Sequence, residues 1–477
     1  MSTRIRAPPS RDIIFAVAES TEPPEVAEMS QVGIVMAAGE GRRMISRIPK
    51  PLHRICGKEM VRYPVELLRE AGVERVLVVV SLYNQEAIAH VLGDSVEYAV
   101  QERPNGTGGA VAACLDYLGD AVENVLVIGA DTTLVSQESI YALLEARAQT
   151  AASMTVLTAP NDEESDLGRV VVSKGGRITR IVEVSDALGS LDYFAPLLNA
   201  GVYCFRATWL QRTLGKLSPG PSGELYLTEL AALGSKAKAG VVPVPVAGAE
   251  EVLGVNNRAQ LANAEAIMRD RVRQRLLMEG VTMVDPESVY IDADVQIGID
   301  TTILPNTLIT GRTSIGENCE IGPNSVIRDS NIGSHCRVTS SALEEATMED
   351  DTDVGPFSHL RPGAYLESGV HIGNYVEVKE SRFKAGAVMG HFGYAGDATI
   401  GRRVNVGAGM ITCNYDGQDK HRTVVEDDAF IGCDTMLVAP VTVGQGSITG
   451  AGAVVTEDIP PARLAVGVPA TIKRALK

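Results

Sequence analysis

Residues 297–327 read IGIDTTILPNTLITGRTSIGENCEIGPNSVI, and in this stretch Ile297, Ile303, Ile309, Ile315, Ile321 and Ile327 fall six residues apart. An α-helix repeats near 3.6 residues and a lone strand at 2. A repeat of six suits a three-sided coil in which each side is a short strand with one aliphatic pointing at the axis, and small or polar residues turn the corners. Gly298, Gly316, Gly322, Gly373, Gly401, Gly432 and Gly444 each follow an aliphatic of the series. The register resumes at Val354, Leu360, Leu366, Ile372 and Val378, again at Val388, Tyr394, Ile400 and Val406, and at Val425, Ile431, Leu437 and Val443. The spacing predicts a parallel β-helix of hexapeptide repeats, with residues about 18 positions apart stacked in adjacent coils. A β-sandwich gives no reason for six isoleucines at constant spacing.

Upstream the pattern is different. Apolar runs at Val32 to Met36, Val76 to Val80, Val125 to Ile128 and Met154 to Leu157 alternate with helical segments such as Val61 to Ala71 and Ser139 to Ala146. This alternation predicts an α/β, Rossmann-like domain with a largely parallel sheet. Between the two parts, Asn256 to Glu279 has no interior Gly or Pro and is rich in Ala, Arg, Leu and Met, which reads as one long helical arm. Residues 1–30, with Pro8, Pro9, Pro23 and Pro24 among acids and serines, read as a disordered extension. The expected division is therefore 1–30, an α/β domain over 31–255, a linker arm over 256–280 and a β-helix over 281–477.

A chain of 477 residues exceeds one ordinary core. Its net charge of −17 argues against a nucleic-acid or anionic-membrane surface, so any bound phosphate must meet a local basic site. The seven cysteines are scattered, odd in number and without CxxC spacing, which predicts free thiols in a reducing, cytoplasmic setting and no zinc ligand set. No apolar run is long enough for a membrane span.

Two places carry chemistry. The first is MAAGEGRRM, residues 36–44, where a strand runs into Gly39-Glu40-Gly41. A strand, glycine turn and helix aim backbone N–H groups at a phosphate, although a turn that needs positive φ gives the same pattern. The second lies in the β-helix. Arg361 and Lys379 are 18 residues apart, which places both cations on one face near His391. Such a face grips a phosphate, and an imidazole beside it can take a proton from an ammonium group.

The first stretch, with Pro49-Lys50-Pro51-Leu52, Gln101, Gly106-Thr107-Gly108, Asp131, Gly168, Glu183, Asn199-Ala200-Gly201 and Gly254 to Arg258 following in order, resembles the sugar-1-phosphate nucleotidyltransferase signature. With RPGAYLESGVHIGNYVEVK (361–379) and NVGAGMITCNYDGQDKHRT (405–423) added, residues 31–477 resemble the bifunctional N-acetylglucosamine-1-phosphate uridylyltransferase and glucosamine-1-phosphate acetyltransferase family. The resemblance implies a left-handed β-helix, a homotrimer, and two reactions using acetyl-CoA and UTP. In the first domain it implies that Ala37, Ala38, Gly39, Gly41, Gln101, Gly106 and Thr107 bind nucleotide and that Arg43 and Lys50 neutralise the triphosphate. Asp131 and Asn256 would hold Mg²⁺, with Gly168, Glu183, Asn199 and Asn256 on the sugar phosphate. In the β-helix, His391 is the implied general base, with Glu377 to orient or polarise it. Arg361, Lys379, Tyr394, Asn405 and Lys420 would bind the second sugar phosphate, and Ala408, Asn414, Tyr415 and Cys433 acetyl-CoA.

The chain departs from the family pattern at Arg42, Thr133, Ala200, Val388, Phe392, Gly393 and Gly467. Two other readings therefore stay open: a paralogue with the same chemistries on another amino sugar or nucleotide, and a non-catalytic trimeric scaffold. Arg43, Lys50, Asp131 and Asn256 together speak against the scaffold, which has no use for a metal pair.

Overall fold

The computed structural model describes residues 30–161, 165–184, 190–220, 223–237 and 240–476. All of the expected N-terminal extension except Ser30 lies outside them. The first unit is built on a sheet of nine strands. Its main path runs Val241–Pro245, Met154–Pro160, Leu197–Arg206, Asn124–Gly129, Gln31–Met36, Arg75–Ser81 and Glu97–Gln101. Every neighbouring pair on that path is parallel except those made by Leu197–Arg206, which runs against both its neighbours.

The apolar runs are continuous because both faces are covered. Val32, Ile34, Leu77, Val79, Val125 and Val127 enter one core, whereas Val35, Val76, Val78, Val80, Leu126 and Ile128 enter the other. From Gln31–Met36 the chain first adds Arg75–Ser81 and Glu97–Gln101 on one side, then returns to pair Asn124–Gly129 on the other. That reversal leaves a crevice at the carboxyl ends of the two central strands, the place where open α/β sheets take ligands.

The connecting helix is Arg258–Met278, shorter at both ends than its apolar and charged composition suggested. It starts late because Asn257 adopts an extended backbone and its side chain accepts from Gln260 N at 2.9 Å, while Gln260 Oε1 accepts from Asn256 N at 2.8 Å. At the other end Val272 and Leu276 are buried in the axial core of the β-helix.

That β-helix has three parallel faces of 12, 10 and 9 strands, closed by an antiparallel pair at Arg463–Val466 and Thr471–Ala475. Ile297, Ile303, Ile309, Ile315, Ile321 and Ile327 are all buried along the axis. The coils are less uniform than the spacing of these six suggested. Ile297 pairs with Ile315, Ile315 with Ile332, Ile332 with Met348 and Met348 with Leu366, giving coils of 18, 17, 16 and 18 residues. The gap in the sequence pattern between Ile327 and Val354 is filled by Ile332, Val338, Leu343 and Met348, whose spacing shortens where corners lose a residue.

Corner glycines are fixed by contact with the next coil. A Cβ on Gly373 would lie 1.9 Å from the Gly390 carbonyl oxygen. Among the described residues no helix is long and apolar enough to cross a membrane, and all seven cysteines are free. Gly373→Ala is expected to destabilise the β-helix by at least the ~1–3 kcal/mol typical of overpacking. Thermal unfolding followed by circular dichroism checks this against Gly119→Ala, where a Cβ has nothing within 4 Å and the backbone is not left-handed.

Candidate functional site

At the sheet reversal lies a cavity of about 500 Å³, whose wall includes Ala37, Ala38, Gly39, Lys50, Gln101, Gly106, Thr107 and Asp131. Its size falls in the range of small-ligand sites. The loop after Gln31–Met36 is held by Asn84, a buried residue whose Nδ2 donates to the Ala37 carbonyl at 2.9 Å. Gly41 sits at φ +62°, and a Cβ there would fall 2.5 Å from Lys50 Cβ, so the glycine turn packs directly on the lysine stem.

Lys50 Nζ donates to Asp131 Oδ2 at 2.5 Å and to Asn256 Oδ1 at 2.8 Å. Two oxygens far apart in the sequence thus converge on one cation. The capped start of the connecting helix positions Asn256, and Val255 N donates to the Asp131 carbonyl at 3.2 Å. On the opposite wall Gln101 Nε2 donates to Asn105 Oδ1 at 2.8 Å and to the Gly106 carbonyl at 3.0 Å. Gly106 has φ +91°, and a Cβ would lie 2.7 Å from the Leu225 carbonyl oxygen, which leaves only glycine at this turn. Thr107 Oγ1 is occupied by Leu227 N at 3.0 Å, so this hydroxyl braces the wall.

Gly168, Glu183 and Asn199 are not part of that cavity wall. Gly168 and Asn199 meet at a neighbouring strand edge, where Asn199 N donates to the Gly168 carbonyl at 2.9 Å, and Glu183 accepts from Thr228 Oγ1 at 2.8 Å. Arg43 is exposed and likewise outside the wall. Arg42, the departure in the loop, lies at the rim, where Nε donates to Glu40 Oε2 at 2.5 Å with the side chain 85% exposed. Its charge is spent on a neighbouring acid. Among the described residues no group of three His, Cys, Asp or Glu could hold a metal.

The second cluster lies on the ten-stranded face of the β-helix. Arg361 N donates to the Val378 carbonyl, which sets Arg361 beside Lys379 one coil on. Arg361 Nη1 donates to Glu377 Oε1 at 2.7 Å, and Glu377 is paired in register with Tyr394. The coil that follows is long: Ile400 pairs with Val425, because Asn414 to Arg422 leave the coil as a loop. The loop is ordered by Asp416, which accepts from Gln418 N and Asp419 N at 2.8 Å and from His421 at 2.7 Å; His421, first, and these N–H groups hold its carboxyl far below the usual range. Lys420 is thereby carried back to Lys379, and the hydrogen bond between the two heads, first, then partial loss of water and the like charge, push the Lys379 pKa down, while the same hydrogen bond pushes that of Lys420 up.

His391 is exposed, turns the corner leading to Tyr394, and has no hydrogen-bond partner among the described residues. The expected contact from Glu377 is not made, since its carboxylate is engaged with Arg361. Val388 is in register with Asn405 and Asn405 with Phe430, and Gly407 packs on Gly432, so His391, Ala408 and Cys433 follow each other up one corner. Asn405 lies on the twelve-stranded face, in register with Val388, one coil above the His391 turn. Asn414 is buried and donates from Nδ2 to Asp397 and, at 3.4 Å, to Tyr394 Oη, while Tyr415 pairs with Lys420 across the loop. Asp397 was missed by sequence reasoning; a single acid at a corner has no periodic signature. Asn105 and Glu251 were missed for the same reason, the latter a buried acid that accepts from Ser136 N and Oγ and from Gly248 N.

Two family models match the chain: the nucleotidyl transferase model over residues 32–243, and the six-repeat bacterial transferase hexapeptide model over residues 294–329 and 422–457. The chain is 43% identical over 439 residues, 92% of its length and 97% of the relative's, to the bifunctional protein GlmU of Exiguobacterium sp. (strain ATCC BAA-1283 / AT1b). It is 42% identical over 437 residues to the protein of the same description from Heliobacterium modesticaldum, covering 91% and 95% of the two chains. With that of Geobacillus sp. (strain WCH70) the identity is 41% over 440 residues, covering 92% and 95%.

Lys420→Met removes the like charge facing Lys379, so the Lys379 pKa is expected to rise toward the ordinary lysine range. Inorganic phosphate bound between the two heads has the same sign. Nuclear magnetic resonance titration of the Lys379 side chain checks both; an unmoved titration in Lys420→Met means that the heads do not interact.

Proposed function

The chain belongs to the family of bifunctional GlmU proteins, and on that footing we propose that it acetylates glucosamine 1-phosphate with acetyl-CoA and then converts the product with UTP into UDP-N-acetylglucosamine and pyrophosphate. The observation that carries this reading is the pairing, in one chain, of a cavity at a sheet reversal with a separate cationic face beside an unpartnered imidazole. Each is built for phosphate. Only the second offers a base for an amine.

At the β-helix, Arg361, Lys379 and Lys420 hold the sugar phosphate, and Tyr394 and Asn405 complete the pocket. His391 takes a proton from the substrate ammonium, the free amine attacks the thioester carbonyl, and the tetrahedral intermediate collapses with loss of the CoA thiolate. Glu377 acts on this site by fixing the Arg361 guanidinium. Ala408 and Cys433, stacked above His391, with Asn414 and Tyr415 from the loop, line the approach of acetyl-CoA.

In the α/β domain, a phosphate oxygen of N-acetylglucosamine 1-phosphate attacks the α-phosphorus of UTP, and pyrophosphate leaves. Ala37, Ala38, Gly39 and Gly41 form the triphosphate loop, Gln101, Gly106 and Thr107 the base wall, and Gly168, Glu183 and Asn199 the sugar wall. Lys50 supplies positive charge at the triphosphate from the cavity wall, and Arg43 from the exposed turn that follows the loop. Asp131 and Asn256 would hold a Mg²⁺, because their oxygens are hard donors that already converge on a cation. A Mg²⁺ held there supplies charge neutralisation and polarisation at the triphosphate. The repeats support assembly as a homotrimer through the β-helix, and the free thiols support a cytoplasmic setting.

Lys50→Ala and Asp131→Ala are expected to abolish pyrophosphate release from UTP and N-acetylglucosamine 1-phosphate while leaving acetyl transfer intact. His391→Ala should do the reverse, lowering the release of free CoA thiol by about 10²–10⁴-fold. Loss of both activities in a folded variant rules out separate sites.

A further inference from the structure

We propose that Lys50 is a built-in counter-cation: its ammonium occupies the metal position in the resting protein and is exchanged out of it, onto the triphosphate, when a divalent ion enters. The inference rests on reading this cavity as the uridylyl-transfer site, and it goes beyond that reading by assigning Lys50 two successive positions.

The geometry leaves little choice. Lys50 Nζ lies 2.5 Å from Asp131 Oδ2 and 2.8 Å from Asn256 Oδ1, so it takes up the same two oxygens that fit a metal ion. The side chain is only 14% exposed and that of Asp131 29%, so water screens the contact poorly. A divalent ion and an ammonium cannot share that point, because like charges this close repel strongly. The stem is held where Gly41 packs against Lys50 Cβ, which leaves the far end as the moving part. A lysine head is a point charge on a flexible four-carbon chain, and the nearest alternative anion in a loaded cavity is the nucleotide phosphate.

Three consequences distinguish this from a lysine that only neutralises phosphate. The resting site is protected from idle occupation by metal, since each ion must first displace the ammonium. Asp131 and Asn256 are kept in place without metal, so the site needs no reorganisation when it is filled. Metal and nucleotide assist each other's binding, because the nucleotide gives the displaced ammonium a partner, and by linkage the assistance is mutual.

The test uses the metal-free, full-length protein titrated with Mn²⁺, bound ion being followed by electron paramagnetic resonance. Lys50→Met keeps the bulk of the stem and removes the charge, and is expected to bind Mn²⁺ about tenfold more tightly than the native chain without nucleotide. UTP should tighten Mn²⁺ binding in the native chain more than in Lys50→Met. Circular dichroism and thermal unfolding of the same samples report that each variant is folded, the α/β unit included, and Lys50→Gln replaces Lys50→Met if the latter is not. Equal or weaker Mn²⁺ binding in the lysine variant, with Asp131→Asn still losing the ion, overturns the exchange but leaves the metal site standing. Native-like Mn²⁺ binding by Asp131→Asn overturns the reading of the cavity itself.

Discussion

The helix Arg258–Met278 is pinned at its two ends by interactions of different kinds, and both halves of the molecule depend on it. Its start is pinned by polar capping: Asn257 and Gln260 exchange hydrogen bonds with the backbone, and this sets Asn256 against Lys50. Its end is pinned by burial, because Val272 and Leu276 plug the first coil of the β-helix, whose axial core would otherwise open to water. Midway, Ala264 packs with Ile55, Cys56, Met60 and Leu134 of the α/β unit. The helix is therefore a shared wall of both cores.

The two clusters proposed as phosphate sites embody different solutions. In the α/β domain the solution is topological: a reversal of strand order opens a crevice, and residues distant in sequence meet there, Lys50 and Asp131 in its wall and Asn256 hydrogen-bonded to Lys50. On the β-helix it is periodic, since parallel stacking sets Arg361 beside Lys379, and one long coil returns Lys420 to the same place. The crevice has walls on several sides. The face leaves one side open, which suits a substrate that must meet a second, large one.

Much of this was legible in the sequence for a physical reason: buried axial positions tolerate little but aliphatics, so the six isoleucines record the coil directly. The signal failed where corners shortened, and Ile332 and Val338 went unread until the stacking was visible. The helix was legible as an element but not at its ends, because capping depends on side-chain rotamers that composition does not encode. Of the candidate residues, those tied to a repeat or a glycine turn, such as Arg361, Lys379 and Gly106, could be placed from spacing and resemblance. Glu377 could not, because its choice between Arg361 and the His391 turn is a local electrostatic contest. Asp397 and the resting position of Lys50 are properties of assembled geometry alone.

The long coil from Ile400 to Val425 has a wider meaning. The step from Phe383 to Ile400 is seventeen residues, from Ile400 to Val425 twenty-five and from Val425 to Val443 eighteen, yet all four side chains are buried in one continuous column. The axis counts ladder rungs, not amino acids. A segment that bulges from a corner is thus invisible to the scaffold, and its length and sequence are free to change without moving any coil above or below. The architecture works like a rack whose shelves stay at fixed height while the objects placed on them are replaced, and the loop from Asn414 to Arg422 is one such object.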